Sequence, residues 1–439
     1  MTELSITLGL LLFLICTAIP LSRGRKYGRV TLLDFSLLAV GLVYGLGWAL
    51  VLTFTTMGYN RQWPDQLLPH KVYYLLNTGL AFILAACIYF GWRLSPVSYR
   101  VGARLSSAHL VASSEALHLY AWVLLAISIF LRWLYTLEYG GFVDYLDYSA
   151  AIRSSIFEIE NKWSFLQPFS QMAIFSTFLF FSALVGGNRS LVKIIGFGLS
   201  CLFSIYILYS LLGRMGFLIF VASLILAVSY LRHARPTVLI AGSLIGGIVT
   251  IILAYLISEL LQLKSADNMP EYVARELSFP FVSFFAQLES GEYLYRWYLD
   301  FIYVPLYFLP SSWWSQWIEE VSQINTSVVM GAPKGELGVT GGVPVDLITL
   351  GLMQSSVFGV VVVGFLFGVM LRFLQGFSEG IKSRGLRAII WSYIAIRVAV
   401  FAVPYSHPLH LISGVFGIAF SIALLAAVSN LRRIRISRR

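Results

Sequence analysis

Residues 191–231 read LVKIIGFGLSCLFSIYILYSLLGRMGFLIFVASLILAVSYL, and after Lys193 the only charge in the stretch is Arg214. A helix crossing about 30 Å of hydrocarbon needs about 20 apolar residues at 1.5 Å each. Within hydrocarbon every backbone N–H and C=O must bond inside its own segment, so each such run reads as a helix. The stretch is twice that length and holds two spans, 194–212 and 215–231, meeting at Gly213-Arg214. They form a tight hairpin or two half-helices broken at that point; the alternation of charge described next requires the hairpin.

Working outward, the same criterion marks spans at 4–22, 31–55, 71–92, 117–137, 164–186, 237–260, 344–371, 387–404 and 410–430. The chain thus reads as all-α and polytopic, a single integral membrane unit over residues 1–439 with about 11 transmembrane helices. Composition agrees: 58% of the 439 residues are hydrophobic and 12% charged, about half the charge of a soluble domain. Cys16, Cys87 and Cys201 lie inside apolar runs without CxxC spacing, so neither a disulfide framework nor a zinc site is read from them. The first run has its positive charges after it, not before it, and reads as a retained span, not a cleaved signal.

The net charge of +10 would suggest nucleic acid in a soluble protein, but here it orients the chain. Of the 31 basic residues, 20 fall in alternate connections, around Arg23–Arg29, Arg93–Arg104, Arg189–Lys193, Arg232–Arg235, Arg372–Arg387 and the tail from Arg432. Only Asp34, Glu115 and Glu379 accompany them. The positive-inside rule puts these connections in the cytoplasm and the N-terminus outside, and no nucleic-acid partner is implied. The outer side is net acidic. It includes one long segment, 261–343, the large periplasmic loop, in which 15 of the 39 residues from Phe279 to Trp317 are aromatic. That density reads as short amphipathic helices lying in the headgroup layer.

Walker A, HExxH, CxxC and DxD-like sequences are absent, which argues against ATP-driven transport and nucleotide-sugar transfer. What remains is a set of outer cationic groups: Arg132, Arg153, Arg214, Arg275, Arg296 and Arg397, with His407 and His410. Arg214 sits between Gly213 and Met215-Gly216, where backbone can approach closely and a guanidinium fork suits phosphate oxygens; a snorkelling arginine is the alternative. Arg397 lies mid-span, where a charge is costly unless it faces a cavity or a partner such as Glu259 or Asp346. Arg275 and Arg296 flank the aromatic segment beside Glu271 and Glu276, and Glu292 and Asp300, so substrate contacts and plain surface pairs both fit. Arg153 is similar. His407 and His410, in YSHPLH, could take a proton from a hydroxyl; a third metal ligand is not evident. Glycines at 351, 359, 364 and 368 allow close packing of the span that Pro344 opens.

The Gly213-Arg214 turn, the long outer loop, the Gly341-Gly342-Val343-Pro344 entry into a glycine-spaced span and the many-span layout together resemble the O-antigen (oligosaccharide repeat-unit) polymerase family, Wzy. The resemblance implies a GT-C-like fold and a metal-independent, cofactor-free inverting glycosyltransferase of the bacterial inner membrane, with its active site on the periplasmic side. It would move a growing glycan from undecaprenyl pyrophosphate to the non-reducing end of a new lipid-linked repeat unit, for O-antigen, capsule or exopolysaccharide. Its partners would be undecaprenyl-pyrophosphate-linked oligosaccharides, membrane lipids and a chain-length regulator. Arg214 matches the family's pyrophosphate-holding turn; Arg153, Arg275, Arg296 and Arg397 stand as substrate-binding candidates, and His407 or His410, or a carboxylate such as Glu289, as the group that aligns the acceptor hydroxyl. The alternatives are an O-antigen ligase and a lipid-linked-oligosaccharide flippase or secondary transporter.

Overall fold

A computed structural model describes all residues except 61–62, 64–66, 68–70, 110–113, 155–160, 187–189, 212–213, 261–267, 291–294, 310–312 and 438–439. The described residues are helical with no strand among them. In chain order the helices are α1 (Thr2–Tyr27), α2 (Leu32–Val40), α3 (Trp48–Thr56), α4 (Lys71–Arg93), α5 (Pro96–His109), α6 (Ser114–Thr136), α7 (Tyr145–Ser154) and α8 (Met172–Val185). They continue with α9 (Leu191–Ser210), α10 (Arg214–Leu231), α11 (Pro236–Leu260), α12 (Met269–Glu289), α13 (Val321–Met330), α14 (Leu347–Gly380), α15 (Arg384–Ile394) and α16 (Pro408–Ser437). Wider π-helical turns join α2 to α3 (Gly41–Gly47) and extend α15 (Ala395–Val400). Among the described residues, seven helical segments are long and apolar enough to cross a membrane, and shorter apolar helices cover Met215–Leu231, Pro236–Gly247 and Val415–Ala427. The chain is a polytopic helical membrane protein.

The hairpin reading of residues 191–231 holds. A Cβ on Gly216 would stand 3.2 Å from the Leu208 side chain, although eight residues of continuous helix would part them by about 12 Å. The basic connections gather at one end of the bundle. There Thr31 and Asp34 form a capping box, Arg23 donates to Asp34 at 2.9 Å, and Arg29 lies 3.5 Å from Glu379. Arg372 stacks between Trp92 and Tyr99, its guanidinium carbon 4.9 and 4.8 Å from their ring centroids.

The glycine spacing of α14 is used as expected at Gly364 and Gly368, and the seam runs further. A Cβ on Gly368 would fall 2.2 Å from the Ile88 carbonyl oxygen, and one on Gly376 2.1 Å from that of Tyr99, so α14 lies in backbone contact with α4 and α5, running parallel to them. Gly351 and Gly359 serve a different purpose. The expected continuous span is broken at Ser355 and Ser356, the latter at φ 58°, ψ −147°. The chain doubles back there, bringing Gly351 against Gly359 and Val360. Residues 347–354 are therefore a short, wholly buried arm, and the membrane-length run begins after the fold-back.

The aromatic segment divides. Phe281, Phe284 and Phe285 of α12 are fully buried, and Phe281 and Phe285 pack on Trp48 with centroids 4.5 and 5.8 Å away. For these residues the headgroup-layer expectation is corrected: α12 plugs the bundle because Trp48, Tyr44 and Tyr74 offer it an aromatic face. Trp297, Trp313 and Trp317 are exposed, as interfacial anchors would be.

Candidate active site

At the end opposite the basic connections, four segments converge. The first is the π-helical turn. Phe401 N–H donates five residues back to the Ile396 carbonyl, and the extra residue in the turn re-aims Arg397 into the protein, where it is 5% exposed. Its guanidinium carbon lies 5.7 Å from the Phe401 ring, which stacks in parallel on Tyr405 at 4.6 Å; Tyr405 in turn meets Phe279 of α12 at 5.0 Å.

The second segment holds His407. Pro408 opens α16, a position where proline loses no helical bond, and forces extended backbone on the residue before it. The turn at 401–404 and the loop after it bond to 345–347: Leu347 N–H donates to the Val403 carbonyl at 3.0 Å and Ser406 N–H to the Val345 carbonyl at 2.8 Å. His407 is thereby fixed with 8% exposure, its Nε2 3.5 Å from Glu320 Oε1. Burial, helped by the Arg397 charge, pushes the imidazole down to about 4, so it is neutral at pH 7. Burial also raises the Glu320 carboxyl and the Asp300 charge adds to it, against the Ser322 hydroxyl and Lys334. A neutral imidazole beside a reluctantly ionised carboxyl is a pair suited to passing one proton.

The third and fourth segments are a clasp and the arm it holds. Asp300, fully buried, accepts from Arg296 Nε at 2.6 Å, Arg296 Nη2 at 2.7 Å and Gln354 Nε2 at 2.7 Å. Arg296 Nη2 also donates to the Glu319 carbonyl at 2.8 Å, tying the clasp to the residue before Glu320. Burial opposes the Arg296 charge, but the bonds to Asp300 outweigh it and its pKa rises. Backbone N–H groups of Arg296 and Trp297 cap the Met353 and Gln354 carbonyls, and Tyr298 Oη lies 2.7 Å from Ser355 Oγ, so the fold-back is held at its tip. Asp346 caps the arm from below, accepting from Ile348 N–H and, at 2.5 Å, from Tyr44 Oη.

Of the sequence candidates, Arg397, His407 and Arg296 come together, with Glu320 and Asp300 between them. Arg275 is on α12, one turn before Phe279, bonded to Glu276 at 3.3 Å and stacked 5.4 Å from Tyr272. Arg214 is the first residue of α10, whose antiparallel packing sets Tyr230 against Trp391 at 4.9 Å and carries its start toward the end of the π-helical turn. Arg153 lies in α7 and His410 in the first turn of α16; the side chains of Arg153, Arg214, His410 and Glu259 fall outside the described residues, as does Glu292. Asp346, named as a partner for Arg397, is committed to Tyr44 and the arm. Glu289 is exposed at the end of α12, and the carboxyl that meets His407 is Glu320, 16% exposed, which sequence cannot distinguish from it. Asn325, within a glycosylation sequon, is fully buried and ties Ser283 to the Val343 carbonyl.

Among the described residues, no three His, Cys, Asp or Glu side chains gather as metal ligands. Compared with known proteins, the chain matches no family model, no curated sequence and no solved structure.

Proposed function

We propose that the chain is a polymerase of lipid-linked oligosaccharide repeat units, an eleven-span, GT-C-like enzyme working at the outer face of a bacterial inner membrane. The observation that carries this reading is the grouping of buried Arg397 and His407 with the largely covered Glu320 of the outer segment: a cation, a neutral imidazole and a carboxyl at the end of the bundle opposite the basic connections. Glycan transfer from undecaprenyl pyrophosphate needs little more. The acceptor hydroxyl gives up its proton as its oxygen bonds to the anomeric carbon, while the bond from that carbon to the pyrophosphate oxygen breaks on the opposite side. His407 is assigned to take the proton, with Glu320 orienting the ring through Nε2, and arginines offset the charge growing on the leaving pyrophosphate. Arg214 and Arg397 are assigned to that pyrophosphate, and Arg153, Arg275 and His410 to the approach.

The test is a deletion strain complemented with Arg214→Ala. The variant should insert normally yet leave surface glycan as single repeat units. Wild-type ladder lengths would refute the assignment, and lost surface glycan with lipid-linked polymer retained would identify a ligase. A flippase is the second reading, favoured by the broken helix at Ser355-Ser356, since transporters place such breaks at their substrate sites. Purified protein that moves substrate across liposomes without making a glycosidic bond would establish it.

A further inference from the structure

On the lateral surface between α6 and α9 lies an open apolar groove of about 450 Å³, walled by Trp122, Leu125 and Ile129 on one side and Leu202, Phe203 and Tyr206 on the other. The helical spacing carries the same two faces one turn further, to Arg132 and Ser210, and there the groove closes: Arg132 Nη2 donates to Ser210 Oγ at 2.5 Å. Arg132 is fully buried. Its guanidinium carbon stands 4.4 Å from the Tyr145 ring, 5.1 Å from Tyr135 and 5.8 Å from Tyr206, so Tyr206 belongs to both the groove wall and the cage. Among the described residues no carboxylate pairs with Arg132, and its Nε and Nη1 have no hydrogen-bond partner.

A buried membrane arginine without a carboxylate is costly. Three aromatic faces reduce the cost but leave Nε and Nη1 without partners, and each can donate to an anionic oxygen. The cover over the cage is the segment 137–145. Gly140 and Gly141 turn it at φ 87° and 120°, so that the Phe142 carbonyl accepts from Tyr206 Oη at 2.7 Å and Tyr145 lies over the guanidinium.

We propose that this groove seats the polyprenyl chain of a lipid-linked substrate, with its phosphate directed to Arg132. The identity of the lipid rests on the polymerase reading; the geometry favours one chain over a diacyl lipid. The seam between two adjacent helices is one chain wide and about 10 Å long, and it ends on a single cation. Ser210 stands four residues before Arg214, so a second phosphate on the same lipid would lie toward the turn already assigned to pyrophosphate.

The experiment uses the full-length protein in phosphatidylcholine nanodiscs with radiolabelled undecaprenyl phosphate as the probe. Leu202→Trp fills the groove from a position 66% exposed, where the fold is not at risk, and should weaken binding by about tenfold. Arg132→Gln should weaken it similarly and Arg132→Lys less. Unchanged binding by Leu202→Trp, or equal displacement of the probe by phosphatidylglycerol, would overturn the proposal. If Leu202→Trp loses binding while the wild type makes no polymer in cells, the polymerase reading fails and the groove assignment stands. If ladders are normal and Leu202→Trp binds like the wild type, the reverse holds.

Discussion

Replacing Asp300 by asparagine leaves the shape of the clasp and removes its charge. Asp300 accepts three N–H bonds, one on Oδ1 and two on Oδ2. In asparagine one of those oxygens becomes an NH2 group, so whichever way the amide faces, at least one donor meets a donor. Losing one charge-assisted bond costs about 1.5–3 kcal/mol, and rupturing a buried ion pair outright about 3–5 kcal/mol. Arg296 keeps its bond to the Glu319 carbonyl and its side chain is 13% exposed, which places the expected loss at about 2–4 kcal/mol. For a chain of this size that lowers the midpoint of thermal unfolding by about 2–4 °C, read on purified full-length protein in detergent. Limited proteolysis between α12 and α13 should quicken in parallel. The double substitution Arg296→Met with Asp300→Leu removes both charges and should recover more than half of the loss, because the penalty is that of an orphaned charge. The reasoning is refuted if Asp300→Asn melts with the wild type, or if the double variant is no more stable than Asp300→Leu alone.

His407, held at about 4 against an ordinary value of 6.5, binds fewer protons folded than unfolded between those values. Its contribution to stability is complete above pH 6.5 and lost as pH falls toward 4, so the acid limb of a polymerisation profile should lie well below 6.5. His407→Gln should slow turnover by about 10²–10⁴, and a loss below tenfold would remove the imidazole from the chemistry. Glu320 has the opposite sign: its raised pKa means stability is lost as pH rises through the folded value, and Glu320→Gln should abolish that loss in a pH series of melting curves. Gly368→Ala would press a methyl against two backbone atoms, Ile88 O at 2.2 Å and Trp92 N at 2.8 Å, and should destabilise by about 1–3 kcal/mol, while Gly79→Ala, with nothing within 4 Å, should not; equal melting of the two would contradict the seam. Ser356→Gly relieves a left-handed backbone worth about 1–3 kcal/mol against about 0.5–1 kcal/mol of added chain entropy, so its melting point should rise, and a fall would show that the strain is not there.

The helices themselves were legible because hydrocarbon leaves the backbone no other solution, and the runs at 191–231 mark both partners of a hairpin. The Gly364 and Gly368 spacing likewise announced its seam. The fold-back was not legible: LITLGLMQSSVFGV is apolar on both sides of its serine pair, and hydropathy carries no direction. The only trace was two glycines eight residues apart around that pair. The π-helical turn at Arg397 leaves no periodicity that six residues could reveal. Nor could sequence separate Phe281 from Trp317, since an aromatic side chain suits a core and a headgroup layer equally; Trp48, more than 200 positions away in the chain, decides between them. Glu320 went unnoticed beside Glu289 for the same reason, burial being a property of the assembled chain.

The parallel seam of α14 against α4 and α5 also sets an order of assembly. Its partners, Gly91 with Phe365 and Gly102 with Phe373, are separated by more than 270 residues, and Leu32 N–H awaits the Gln375 side chain. Contacts of such long range form slowly, and none of these can form until translation has passed residue 365. Until then α4 must wait in the bilayer with its glycine backbone facing lipid, and α5 must wait beside it without its partner. The bundle is closed from its last third back onto its first, so a chain truncated before residue 360 would insert its early helices without ever acquiring the tertiary fold described above.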